Sequence, residues 1–220
     1  MPPQSQAQPA QEPAYQDFIK WVDKNRVHGT LGPSDAIDCP FMPFSLLKSH
    51  LEAPRRLRDI LRSLFPQANP PISPGDIWRS GISRIFAILI LIGHGRHIQT
   101  MRKHHNLRDE SLPFLKEPPH FPKLADGDTS IWDAFYKMQF QFCAHEFKCG
   151  VTDTELEEDT VLPIIGKELI RHGGSAAIYK IKLHAEYDHL SSRDQSDQVM
   201  YLPTHLTEAF ILITGVIDDR

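Results

Sequence analysis

The segment SRIFAILILIG, residues 83–93, is apolar on every face, so whatever it forms has to lie inside a core. Periodicity alone leaves a buried strand and a buried helix open. Gly93 as a C-terminal stop, together with helical spacing in the neighbouring sequence, favours a helix at the centre of the first core. The longest unbroken apolar run, Ile85 to Ile92, falls far short of the roughly 20 residues that cross a bilayer, so no membrane span is expected.

The flanking pattern agrees with a helical surround. Between positions 43 and 65, Leu46, Leu47, Leu51, Leu57, Ile60, Leu61, Leu64 and Phe65 recur at threes and fours, interrupted by Pro54, which predicts two short helices. A further helix is expected from Ser73, a capping residue followed by Pro74 and Asp76, both suited to a first turn. Residues 96–105, RHIQTMRKHH, read as a basic helix. Residues 129–147 hold Trp132, Phe135, Met138, Phe140 and Phe142 along one broad face, an aromatic docking helix. The run TDTELEEDT, 152–160, has no apolar stripe and reads as a solvated acidic linker. Eleven of the first fourteen residues are Pro, Gln or Ala, which offers nothing to bury and predicts a disordered tail. A short amphipathic patch, Tyr15 to Val22, follows and is expected to dock loosely before Gly29, Gly32 and Pro33 break it.

After residue 160 the period changes. Residues 161–184, VLPIIGKELIRHGGSAAIYKIKLH, alternate apolar and polar side chains on both sides of a Gly pair, the signature of an antiparallel hairpin. ELIRHGGSAAIYKIKLH resembles the Gly-rich loop of protein kinases, G-x-G-x-x-G-x-V, which joins the first two strands and covers the ATP phosphates. On that pattern Gly173 and Gly174 lie in the loop, with Gly173 at the second glycine. Ser175 takes the loop tip and Ile178 the Val that packs on adenine. Arg171 and Ala176 stand where the first and third glycines belong, so the loop is degenerate. SRIFAILILIGHGRHIQTM also resembles the helical leader of a group of fungal protein-kinase-like proteins, and the resemblance covers roughly residues 40–185.

The resemblance implies a kinase N-lobe that is incomplete within these 220 residues. Phosphoryl transfer needs a strand-three Lys, a helix Glu that holds it, a catalytic Asp and a Mg²⁺-binding Asp. None of residues 183–220 is Lys or Asn, and neither HRD nor DFG occurs. If QVMYLPTHL, 198–206, lies where strand three belongs, Leu202 takes the lysine's place and Glu208 has no partner. No catalytic residue is therefore expected, and the cofactor expectation is none, with ATP and Mg²⁺ entering only if the kinase activity itself is present. The functional expectation is a non-catalytic interaction or regulatory fragment related to fungal protein kinases. The alternative is a truncated or mispredicted ATP-dependent Ser/Thr protein kinase.

Charge separates along the chain although the total is only −4. Residues 41–110 carry 11 basic and 5 acidic side chains, and 111–160 carry 4 and 10, so a net +6 block precedes a net −6 block that it could dock against in cis. The overall balance argues against nucleic-acid and membrane-surface partners and leaves a protein partner held by the helical domain. Three cysteines without framework spacing, and no apolar leader at the start, suit an intracellular site, cytoplasmic or nuclear. Cys143, His145 and Cys149 match no common zinc spacing, so no metal is expected.

The expected fold class is therefore mainly α: a helical domain followed by a short β hairpin resembling the first two strands of a kinase N-lobe. Four regions follow from this: a disordered or loosely docked tail (1–40), a helical domain (41–125), the aromatic helix and acidic linker (126–160), and the incomplete N-lobe (161–220). The aromatic helix, 129–142, is expected to cover one face of the hairpin, since a lone hairpin is marginal in water.

Overall fold

A computed structural model describes residues 13–31, 38–66, 70–123, 131–148, 156–172, 177–190 and 208–213. Among these, seven α-helices and eight strands follow in chain order: α1 (Ala14–Asn25), β1 (Val27–Leu31), β2 (Asp38–Phe41), α2 (Phe44–Glu52), α3 (Arg56–Leu64), α4 (Pro74–Arg79), α5 (Ser83–Leu91), α6 (Ile98–Met101), α7 (Ile131–Gln139), β3 (Phe147–Lys148), β4 (Val161–Leu162), β5 (Ile164–His172), β6 (Ala177–Leu183), β7 (Asp188–His189) and β8 (Glu208–Ile213).

The apolar segment is a helix, and it is the axis of the core. Residues Ile85 to Ile90 of α5 are all buried, and α1 to α4, α6 and α7 each place side chains in the same cluster, Phe18, Leu47, Leu61, Ile77, Met101 and Phe135 among them. A helix apolar all round has no solvent face to offer, so its neighbours wrap it. The break at Pro54 separates α2 from α3 as the spacing predicts. Ser73 caps α4 reciprocally with Asp76: the Ser73 Oγ accepts from the Asp76 N–H, and the Asp76 carboxylate accepts from the Ser73 N–H.

The mainly α expectation is corrected to a mixed α/β fold, since the described residues form eight strands in three small sheets beside the seven helices. Strand order is β2-β1-β4 in the first, β3-β7 in the second and β5-β6-β8 in the third; all pairs are antiparallel except β3 with β7. The strands that break the expectation are short and carry residues that read as breakers. Gly29 lies inside β1 because its backbone passes so close to the Leu162 carbonyl and the Phe41 ring that a Cβ has no room there. Pro40 lies in β2, at the sheet edge where its missing N–H costs nothing.

The N-terminal region is more than a tail. Residues 1–12 lie outside the described part, but α1 drives Phe18 and Val22, both essentially unexposed, into the helical core. The basic segment 96–105 is a 3-10 turn, Gly95–His97, and the four residues of α6, not one helix. The aromatic segment forms α7 and a 3-10 turn, Phe140–Phe142, packs chiefly on the helical core and meets the 161–184 segment at Val161. Ile131, Phe135 and Phe142 join the α5 cluster, and Phe140 joins a small cluster with Phe41, Ala144, Val161 and Tyr187. The base of the hairpin is covered by Phe147, Leu156 and Leu190.

One contact of α1 titrates. The His50 ring on α2 stacks on Trp21 with centroids 3.7 Å apart and 18° between planes. Burial, and secondarily the Arg56 guanidinium, lower its pKa from 6.5 to about 4. A depressed folded value means the neutral ring is favoured, so its contribution to stability is complete above about pH 6.5 and is lost as the pH falls through about 4. The expected result is a tryptophan fluorescence change centred near pH 4 in the native protein and missing in His50→Gln; a midpoint near 6.5 contradicts the stacking.

Candidate functional site

The sequence-based site is the β5-β6 hairpin. Its loop residues Gly173, Gly174 and Ser175, with Ala176, lie outside the described residues. For Ile178 the structure gives backbone placement: it pairs with Arg171 of β5 on one side and Leu212 of β8 on the other. QVMYLPTHL is likewise outside the described part. The strand that joins β6 is β8, EAFILI, in the register Lys182↔Glu208 through Ala177↔Ile213. Its sequence contains no lysine.

The described half of the hairpin has two unlike ends. Towards the base, Ile164, Ile181 and Leu183 are buried with Leu162. Towards the loop β5 opens to solvent, with Leu169 and Ile170 about half exposed. Register shifts between Ile164 and Gly166 and between Leu169 and Arg171 twist this edge strand, a device that blocks pairing with another chain. Between these ends the Lys167 ammonium lies 3.9 Å from the centre of the Tyr179 ring.

A polar clasp joins this sheet to the helices. β6 runs out at Leu183, where the His184 N–H donates to the Pro163 carbonyl and a turn places Glu186 against the start of α2. One carboxylate oxygen of Glu186 accepts from the Ser45 N–H at 3.0 Å and the other from the Ser45 Oγ at 2.6 Å, across 141 residues of sequence. Pro43, the residue preceding α2, has no side-chain oxygen to cap with, so Glu186 supplies the negative charge that the helix start favours. Beside it, the Phe41 ring meets the edges of His184 and Tyr187 at 5.7 and 5.6 Å. Burial pulls the His184 pKa below its usual value and pushes that of Tyr187 up.

A second long-range carboxylate serves α5. Ile82 precedes that helix and cannot cap it, but Asp109 reaches in from a 3-10 turn, Asp109–Ser111. Its carboxylate accepts from the Ser83 Oγ, the Arg84 N–H and the Ile85 N–H at 2.8, 2.9 and 3.0 Å. Burial nonetheless holds its carboxyl above the usual range, against the pull of those donors. The Arg84 guanidinium in turn lies 4.2 Å above the centre of the Phe44 ring.

Among the described residues the remaining candidate chemistry does not assemble, and Cys149 lies outside them. Cys143 is a half-buried thiol whose pKa burial pushes up to about 12, which disfavours the thiolate. His94 faces His97 and His104 stacks on His120, but among the described residues no three His, Cys, Asp or Glu side chains gather as a metal site. No ion pair among the described residues joins the basic 41–110 block to the acidic 111–160 block. No described helix is long and apolar enough to cross a membrane. The Glu186 and Asp109 caps escape sequence reasoning because each partner lies far away in the chain. The arginines of RRLRDILR, 55–62, are visible there only as part of a charge count.

Comparison with protein-family models, with curated proteins and with solved structures found no match to this chain.

Proposed function

We propose that this chain is a non-catalytic interaction or regulatory module, related to fungal protein kinases, in which a kinase-like strand trio is clasped to a helical domain that holds a protein partner. The observation that carries the reading is β8. An all-antiparallel β5-β6-β8 order, with Gly-Gly-Ser between the first two strands, matches the order in which a kinase begins, and the strand beside β6 has no lysine to meet the phosphates. Without that cation, the strand-three contribution to neutralising charge on a transferring phosphoryl group is missing. Arg171 at the first glycine position adds a side chain where the backbone of an active loop approaches the nucleotide.

The test is incubation of the purified chain with radiolabelled ATP, Mg²⁺ and a general protein substrate, alongside thermal unfolding with millimolar ATP–Mg²⁺. The expected result is no label above background and no shift in Tm. Label transfer that survives removal of contaminating enzymes overturns the reading. A Tm shift without transfer replaces it with nucleotide sensing.

A further inference from the structure

Helix α3 buries Leu57, Ile60, Leu61 and Leu64 and turns a row of arginines outward. Arg55, immediately before the helix, Arg58 and Arg62 follow at three- and four-residue spacing, so they share one stripe, and Arg56 stands beside it. All four are exposed, and none is within ion-pair distance of a carboxylate among the described residues. The described part of the chain's own acidic run, Glu157, Glu158 and Asp159, is exposed and does not reach them.

Arg55 adds a second observation. It follows Pro54 with φ +70°, a left-handed conformation that glycine adopts freely and that costs a residue with a Cβ. Folding alone favours glycine at this turn, yet the position carries a guanidinium at the head of the stripe.

We propose that the outer face of α3 binds an acidic segment of a partner polypeptide. A guanidinium fork donates to both oxygens of a carboxylate at once, and Arg55, Arg58 and Arg62 in one stripe with Arg56 beside it, without an ion-pair partner among the described residues, form a preorganised row for spaced Asp or Glu side chains. The neighbouring cleft between α1 and α3, about 520 Å³, favours a peptide over a nucleic acid. Arg56 and Arg62 share it with Asp17 and Asp59, above Phe18 and Ile60. A peptide can offer N–H groups to the two carboxylates and an apolar side chain to the floor, neither of which a phosphate backbone carries.

The inference rests on the interaction reading above, and the two fail separately: phosphate transfer by a chain that binds acidic peptide removes only the first. The experiment titrates the full chain with a fluorescent peptide of repeated Glu-Leu-Glu-Glu, with single-stranded RNA and phosphatidylserine vesicles as the competing probes. The expected result is saturable peptide binding that weakens with salt and drops about tenfold or more in Arg58→Gln/Arg62→Gln, with circular dichroism unchanged. Arg55→Gly is expected to weaken binding while leaving Tm the same or higher, which a merely structural arginine does not do. Absence of peptide binding at low salt, binding unaffected by the substitutions, or tighter binding of RNA or vesicles overturns the proposal.

Discussion

Phe86→Ala is expected to lower the unfolding free energy by about 3–5 kcal/mol, at the top of the range for truncating a single core side chain. Phe86 is fully buried in α5, whose side chains share one core cluster with those of all the other described helices, so the lost ring leaves a cavity inside that core. Against a total stability of about 5–15 kcal/mol for a domain, this places the variant near the edge of folding at physiological temperature. Urea unfolding followed by circular dichroism measures it. Leu46→Ala, at a side chain 37% exposed, is the control and is expected to cost far less. Comparable midpoints for the two variants contradict the position assigned to α5.

Asp109→Ala is the second large effect. The substitution strips three donors at once from their acceptor, two of them backbone N–H groups at the start of the most deeply buried helix. Each buried donor left without a partner costs about 1–3 kcal/mol, although the Ser83 hydroxyl can rotate to another acceptor. Asp109→Asn keeps the size and one acceptor oxygen, and its deficit is expected to fall between wild type and Ala. Thermal unfolding of the three proteins gives the order directly, and equal stability of Asn and Ala variants contradicts the carboxylate's role as the cap of α5.

Sequence periodicity locates the helices because their signal is local. The apolar positions of α2 and α3, the break at Pro54 and the Ser73 cap all act within a few residues of themselves, and α5 follows from a composition that only a core can hold. The hairpin is legible for the same reason, since alternation on both sides of Gly173 and Gly174 specifies two strands. What escapes is non-local. β1 and β2 are four or five residues long and contain Gly29 and Pro40, which read as breakers until the strand that passes them, β4, is in place. Nothing near Ser45 announces that Glu186 caps its helix, and nothing near Ile82 announces Asp109. Motif spacing puts the third strand of the last sheet at 198–206, whereas pairing with β6 is made by 208–213.

β1 is the middle strand of its sheet, with β2 on one side and β4 on the other. Division of the polypeptide at residue 40, where composition changes, therefore cuts through β2 and takes β1 away with the leading piece, so that β4, the lead-in to the hairpin, loses its anchor. A shortened protein that begins there is a different object from this one with a piece removed, and any activity lost in it says nothing about where that activity resides. A division that keeps α1, β1 and β2 in one piece with the rest leaves both pairings of β1 intact.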